Sequence, residues 1–265
     1  MGLAAQLLAV DRGMQIVVFF PEWRSTPIIL GESDPEGCAA CQGTQNGYRN
    51  GPLYGVTIAE ATARTYELAR KHGVNLLGIV TWAFEFEDQP YFAGFRELAT
   101  NGVDKPVLNV FRMLGMLGGD WVNVQSSGAQ PLSKILHEGV VDAPDIDAMA
   151  TRRPHELDIL VWNYHDDNVA ADPVAIRLQI EDLPERIQRV EQFRMDPNHS
   201  NAYAFWQKLG RPQHPTATQH VQLEKSGMLE TMEPPELQKN GSRPCIGKLN
   251  FTPPRQGVAL FRLHW

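Results

Sequence analysis

The sequence predicts a mixed α/β region followed by a β-rich region. Two observations carry that expectation. The first is a pair of short apolar runs, residues 27–31 and 76–82, separated by a helical pattern. That is the layout of a βαβ unit, whose strands lie parallel and whose crossover is right-handed. The second is a change of period after about Trp121, where short β-runs replace helical spacing. Val174, Ile176, Leu178 and Ile180 alternate strictly, as in a half-buried strand.

Taken in order, Leu3, Leu7, Val10, Met14 and Val17 recur at helical spacing and predict an amphipathic helix over residues 2–20, ended by Pro21. Ile28, Ile29 and Leu30 form an unbroken apolar run, which predicts a strand covered on both faces. Glu32 follows at its carboxyl end, and the Ser-Asp-Pro-Glu-Gly after it cannot continue the strand. The polar, glycine-rich stretch 41–55 reads as a long loop. Thr57 and Glu60 form a T-x-x-E pattern that predicts a helix start, with Gly73 just past its end. Trp82 ends the second strand on the same side as Glu32, before a loop of aromatics and acids, AFEFEDQPYFAGF. Residues 104–117 read as a helix with Pro106 in its first turn and Gly118-Gly119 as its stop.

Beyond Trp121, strands are expected over residues 158–164, around Val190, Phe193 and Met195, and over 258–263. Together with the alternating run they make an antiparallel sheet or small sandwich. Two helices interrupt it, one over 200–209 and one starting at Thr216, with Gln219 as capping-box partner, and stopping at Gly227. Residues 233–254 carry proline, glycine and few apolar side chains, and predict an exposed loop.

Composition narrows the class. The chain has 265 residues, 43% hydrophobic and 21% charged, as in a soluble globular protein of one large or two modest domains. A net charge of -7 argues against a nucleic-acid partner. No apolar run is long enough to span a bilayer, so no membrane partner is expected. The start MGLAAQLLAVDRGMQ has neither the basic region nor the cleavage site of a signal peptide, which points to a cytoplasmic location. Three cysteines do not make a disulfide framework. Cys38 and Cys41 are spaced C-x-x-C, but no second pair completes a zinc site, and they read as small residues in a tight loop. No metal and no cofactor is expected. His165-Asp166-Asp167 reads as a polar turn, the pairs His137-Glu138 and His155-Glu156 as surface charges, and Trp162, Trp206 and Trp265 as sandwich core.

Glu32 is the residue that invites a function. Ligand crevices of α/β sheets lie at the carboxyl ends of their strands. A carboxylate there is costly unless it has a partner or a job. The plain alternative is a solvated loop glutamate.

The runs PIILGESDPEGCAAC, TWAFEFEDQPYFAGF, PVLNVFRMLGMLGG and HSNAYAFWQKLG together resemble glycoside hydrolase family 39, closest to its bacterial β-xylosidases. The resemblance covers nearly the whole chain from Gly2 onward. It implies the C-terminal portion of a (β/α)8 TIM barrel, residues 1–119, followed by an antiparallel β-sandwich, residues 120–265. The strands at 27–31 and 76–82 become the seventh and eighth of the barrel, and the chain corresponds to the C-terminal part of such an enzyme. This is a retaining family with two catalytic glutamates, and Glu32 matches the nucleophile. The family's acid/base lies in an Asn-Glu-Pro motif, and that motif is absent here. The resemblance further implies Trp82 as a sugar platform, Glu87 and Asp88 as partners of sugar hydroxyls, and a xyloside or xylo-oligosaccharide substrate. An incomplete barrel also leaves apolar strand edges open to self-association. The alternative reading is a non-catalytic carbohydrate-binding or interaction protein derived from such an enzyme.

Overall fold

The computed structural model describes residues 2–240 and 245–265. Helix α1, Leu3–Phe19, is followed by the three-residue strand β1, Ile28–Leu30. Helix α2, Pro52–His72, leads into β2, Leu76–Ile79. The two strands pair in parallel, with Ile29 opposite Gly78, as the strand–helix–strand pattern requires. Gly73 ends α2 in the left-handed region, φ 67°, and its N–H returns to the last turn.

Short strands β3, Ala99–Thr100, and β4, Val103–Asp104, form a hairpin before α3, Pro106–Met116. Then come β5, Asp120–Val122, α4, Leu132–Glu138, β6, Asp145–Arg153, β7, Glu156–Tyr164, and β8, Ile176–Ile180. Strand β9, Arg189–Met195, helices α5, Ala202–Lys208, and α6, Ala217–Gly227, and strands β10, Glu230–Met232, and β11, Gln238–Lys239, follow. Strands β12, Gly247–Phe251, and β13, Gly257–His264, end the chain.

The β-rich half forms a six-stranded antiparallel sheet, β10-β9-β13-β7-β6-β5, and a three-stranded one, β11-β12-β8. Alternation along β7 and β13 explains the layering. Leu160, Trp162, Val258 and Leu260 face α2, α3 and α4 in one apolar cluster. Leu157, Ile159, Phe261 and Leu263 face Ile180 and Leu249 of the smaller sheet in another. The first cluster draws on both sides of residue 119, from Leu3 to Leu260. Arg64 adds a polar clamp: it pairs with Glu60 at 2.9 Å and with Asp145 of β6 at 2.8 Å, all three buried.

Several expectations need correction. Strands β1 and β2 are not covered on both faces. Ile28 and Leu76 pack on the helical cluster, but Ile29 is 62% exposed and Leu77 60%. Helix α2 starts at Pro52, not Thr57, because Pro52 is preset for the first turn and Gly51 is extended before it. Thr57 therefore donates from mid-helix to the Leu53 carbonyl at 2.6 Å, and Glu60 belongs to Arg64. The stretch 41–55 is no open loop, since Thr44–Asn50 is a 3-10 helix. Cys38 and Cys41 form a disulfide.

The exposed loop expected over 233–254 contains β11 and β12, and its residues 241–244 lie outside the described residues. Strand β12 alternates Gly247 and Leu249 inward with Lys248 and Asn250 outward, too few apolar residues to signal a strand. Trp206 packs on Phe92 in a separate cluster beside α5 and α6, away from the sheets. The capping box of α6 is present in full: Thr216 Oγ1 accepts from Gln219 N–H, and Gln219 returns to the Thr216 N–H.

Candidate functional site

Glu32 follows β1 after Gly31 and takes φ 46°, in the left-handed region that a non-glycine side chain rarely occupies. Ser33 N–H donates to the Val80 carbonyl at 2.8 Å, which ties the bend to the end of β2. The strained bend turns Glu32 outward, and its side chain is 55% exposed. A depression of about 460 Å³ lies here, lined by Glu32, Asp34, Glu36, Arg96, Trp82 and the loop 37–40. Glu32 and Trp82, which is 44% exposed, share one concavity beyond the carboxyl ends of the parallel strands; the second strand stops at Ile79, so Trp82 lies three residues past it rather than ending it.

Arg96 organises the floor. It is buried, and its guanidinium donates to Glu32 Oε2 at 3.3 Å and to the Glu36 carbonyl at 2.7 Å, while its Nε forms an ion pair with Asp34 Oδ2 at 3.5 Å without a hydrogen bond. Asp34 is sealed from solvent and accepts from Tyr54 Oη at 2.6 Å and Thr81 Oγ1 at 2.9 Å. Burial, and then the charge of Asp34, push the Tyr54 hydroxyl far up, so it stays a donor. Asp34 and Arg96 thereby fix the turn that presents Glu32.

A second buried arginine holds the rim. Arg49 donates to the carbonyls of Gly37 at 3.0 Å, Cys38 at 3.1 Å and Cys41 at 3.3 Å. Its Nε donates to Tyr48 Oη, and Tyr48 in turn donates to Glu36. Burial, then Glu36, push the Tyr48 hydroxyl up to about 12. The loop 37–41, closed by the disulfide, therefore has a charged anchor beneath it.

Glu87 and Asp88 occupy an exposed turn, and neither lines the depression. Asp88 takes φ 55°, a turn conformation that aspartate tolerates. Of the acids beside them, Glu85 accepts from Gly102 N–H and Glu97 is buried against Lys105 at 3.0 Å. His165 and Asp166 are turned inward to the backbone: His165 Nε2 meets the Val141 carbonyl, and Asp166 accepts from Val140 N–H.

Reading by sequence missed Asp34, Arg49 and Arg96. Asp34 had a signal, being two residues past Glu32 in the same turn. Arg49 had a weaker one, since a loop must find donors for its carbonyls. Arg96 had none, because its partners lie about sixty residues earlier.

What the depression can do chemically is limited and specific. It offers one exposed carboxylate held by a single arginine contact, Glu32, a second and less exposed one at Glu36, one exposed indole and a buried cation behind them. The other two carboxyls of the concavity are engaged, Asp34 as above and Glu36 by Tyr48 and by Arg49 at 3.8 Å.

The family model of glycosyl hydrolases family 39 matches residues 4–242. Similar solved structures include a family 39 enzyme from Xanthomonas axonopodis pv. citri, 13% identical with a TM-score of 0.69 over 96% of this chain and 48% of that one. A monomeric β-xylosidase from Caulobacter crescentus CB15 is 15% identical, with a TM-score of 0.66 over 96% and 48%. A bacterial orthologue of human α-L-iduronidase is 16% identical, with a TM-score of 0.74 over 96% and 45%. The chain spans about half the length of these structures. No curated protein matches it. The chain belongs to glycosyl hydrolases family 39.

Proposed function

We propose that this chain is the nucleophile-bearing part of a retaining family 39 glycosidase acting on β-xylosides. In this reading Glu32 attacks the anomeric carbon and Trp82 stacks on the sugar ring. Residues 1–119 are the last two β/α units of a TIM barrel, and residues 120–265 are an accessory β-sandwich with inserted helices. The observation that carries the reading is the placement of Glu32: exposed, at a parallel strand's carboxyl end, held by buried Arg96 and sharing a concavity with Trp82. A nucleophile must be aimed, and Arg96 holds Glu32 Oε2 at 3.3 Å. Glu87 and Asp88 enter as partners of sugar hydroxyls only where a longer sugar extends past Trp82 to their turn.

Retaining hydrolysis needs a second carboxyl group about 5–5.5 Å from the first, to protonate the leaving oxygen. Among the described residues of the depression, Asp34 and Glu36 are held by tyrosines and arginines, and neither is free to serve as that proton donor. The isolated chain therefore turns over only substrates whose leaving group departs without protonation. An aryl β-xyloside with an activated leaving group tests this. Slow release of the phenol, abolished in Glu32→Ala and absent with xylo-oligosaccharides, is expected. Equal release by Glu32→Ala and wild type would refute the assignment. The same engaged carboxyls support a second reading, carbohydrate binding without hydrolysis. Xylo-oligosaccharide binding that needs Trp82 and survives Glu32→Ala, with no aryl xyloside turnover, identifies that case.

A further inference from the structure

Glu97 and Lys105 are 2% and 0% exposed, and their charges meet at 3.0 Å. Neither lines the depression at Glu32. Taking two charges out of water is costly, and a well-packed apolar pair of similar volume often serves stability as well or better. Burial holds the Lys105 ammonium down at about 8, against the pull of Glu97. What an apolar pair lacks is direction. Glu97 Oε1 takes Lys105, and Oε2 accepts from the Phe86 N–H at 3.0 Å. Lys105 Nζ also donates to the Phe95 carbonyl at 3.1 Å. One ion pair thus grips residue 86 near the start of a loop and residues 95 and 97 at its end.

That loop carries both neighbours of Glu32 in the concavity. Trp82 stands at its start and Arg96 at its end. Its base is closed by the Leu98 and Ala99 N–H groups, which donate to the Phe84 carbonyl at 2.8 and 3.1 Å. Phe86 and Phe95 pack across it, ring centroids 4.9 Å apart. The Arg96 N–H donates to the Ala39 carbonyl at 3.0 Å, so the loop also holds the rim. The far end of the pin is rigid. Lys105 directly precedes α3, and its own N–H donates to the Leu98 carbonyl at 2.9 Å. Val107, Val110 and Met113 of α3 are fully buried in the helix-facing cluster.

We propose that Glu97 and Lys105 are positioning residues of the Glu32 site, locking the loop from Trp82 to Glu97 so that the indole and the Arg96 guanidinium face Glu32 in one fixed arrangement. The catalytic side of this inference rests on the reading of Glu32 as the nucleophile. The mechanical side does not. A merely structural pair could be exchanged for apolar residues of equal stability without the site responding.

The test uses the full chain and the double variant Glu97→Leu/Lys105→Met, which removes both charges together and leaves neither group buried alone. Its urea midpoint should stay near that of wild type. Amide exchange at Arg96 should nevertheless quicken at least about tenfold, while exchange at Leu160 of β7 holds. With an activated aryl β-xyloside, kcat should fall at least about tenfold, and by more than KM rises, because a loosened Arg96 no longer aims Glu32. Glu97→Gln keeps the size and loses the charge, and should give the same changes in smaller measure even where the double variant does not fold. Wild-type exchange at Arg96 in the folded variants overturns the proposal, as does an unchanged kcat. Exchange that quickens equally at Arg96 and Leu160 marks a general loss of stability and overturns it too. Faster exchange at Arg96 alone, in a protein whose wild type releases no phenol, upholds the pin and refutes the nucleophile reading instead.

Discussion

Replacing Arg96 by methionine keeps much of the apolar stem and removes the cation that joins Glu32, Asp34 and the Glu36 carbonyl. Three losses follow. The charge-assisted hydrogen bond to the Glu36 carbonyl, 2.7 Å long, contributes about 1.5–3 kcal/mol. The contact with Asp34 is longer, 3.5 Å, and Asp34 keeps Tyr54 and Thr81 as donors, so its share falls well below the about 3–5 kcal/mol of a broken buried pair. The pairing with half-exposed Glu32 adds at most about 1 kcal/mol after solvent screening. Together the variant should be about 2–4 kcal/mol less stable, and its urea midpoint should fall by about 1 M at a slope near 3 kcal/mol/M. On the proposed nucleophile role, Glu32 also loses its aim, and misplacement by about 1 Å costs about 10²-fold in rate. The assay is urea unfolding followed by fluorescence, run beside release of an activated phenol from an aryl β-xyloside. A midpoint within about 0.2 M of wild type and an unchanged release rate would refute the role given to Arg96.

Other variants probe the frame around the site. Arg64→Met leaves Glu60 and Asp145 buried without their cation and should cost about 3–5 kcal/mol in calorimetric or urea unfolding. Burial, then the hydrogen bond to Glu36, hold the Tyr48 hydroxyl up at about 12, so the unfolded chain releases that proton first. Its stabilising share is intact below pH 10 and is lost as pH rises from 10 to about 12; Tyr48→Phe should flatten that part of the stability profile. Reducing Cys38–Cys41 should expose two titratable thiols while the circular dichroism spectrum holds, because Arg49 keeps the same carbonyls. Leu249→Ala should cost about 2–5 kcal/mol, since the residue is fully buried between the sheets.

What the sequence revealed and what it concealed divide along the range of the interactions. Gly73, Pro106 and the Thr216–Gln219 box announce helix ends through their own backbones, and each does so in the structure. The parallel pair of β1 and β2 is likewise local, a strand–helix–strand pattern in one stretch. The start of α2 was misplaced because T-x-x-E serves a cap and a mid-helix pair equally well, and Pro52 decided between them. Strand β6 was hidden because Asp145 and Asp147 look like surface until Arg64, some eighty residues earlier, is seen to hold them. The site follows the same rule. Glu32 and Trp82 lie two and three residues past β1 and β2, near enough to the expected strand ends for their side of the sheet to be read from the sequence. Glu87 and Asp88 could not be told from an exposed turn, and Arg96 joins Glu32 only through tertiary packing.

The central claim is that Glu32 is the nucleophile, and trapping its covalent intermediate tests it most directly. A 2,4-dinitrophenyl 2-deoxy-2-fluoro-β-xyloside carries a leaving group that departs without an acid, so the first step needs only the nucleophile. Intact-mass spectrometry should show one fluoroxylosyl group added per chain, peptide mapping should place it on Glu32, and Glu32→Gln should remain unlabelled. A label on any other residue, or none on folded wild-type protein, would contradict the account.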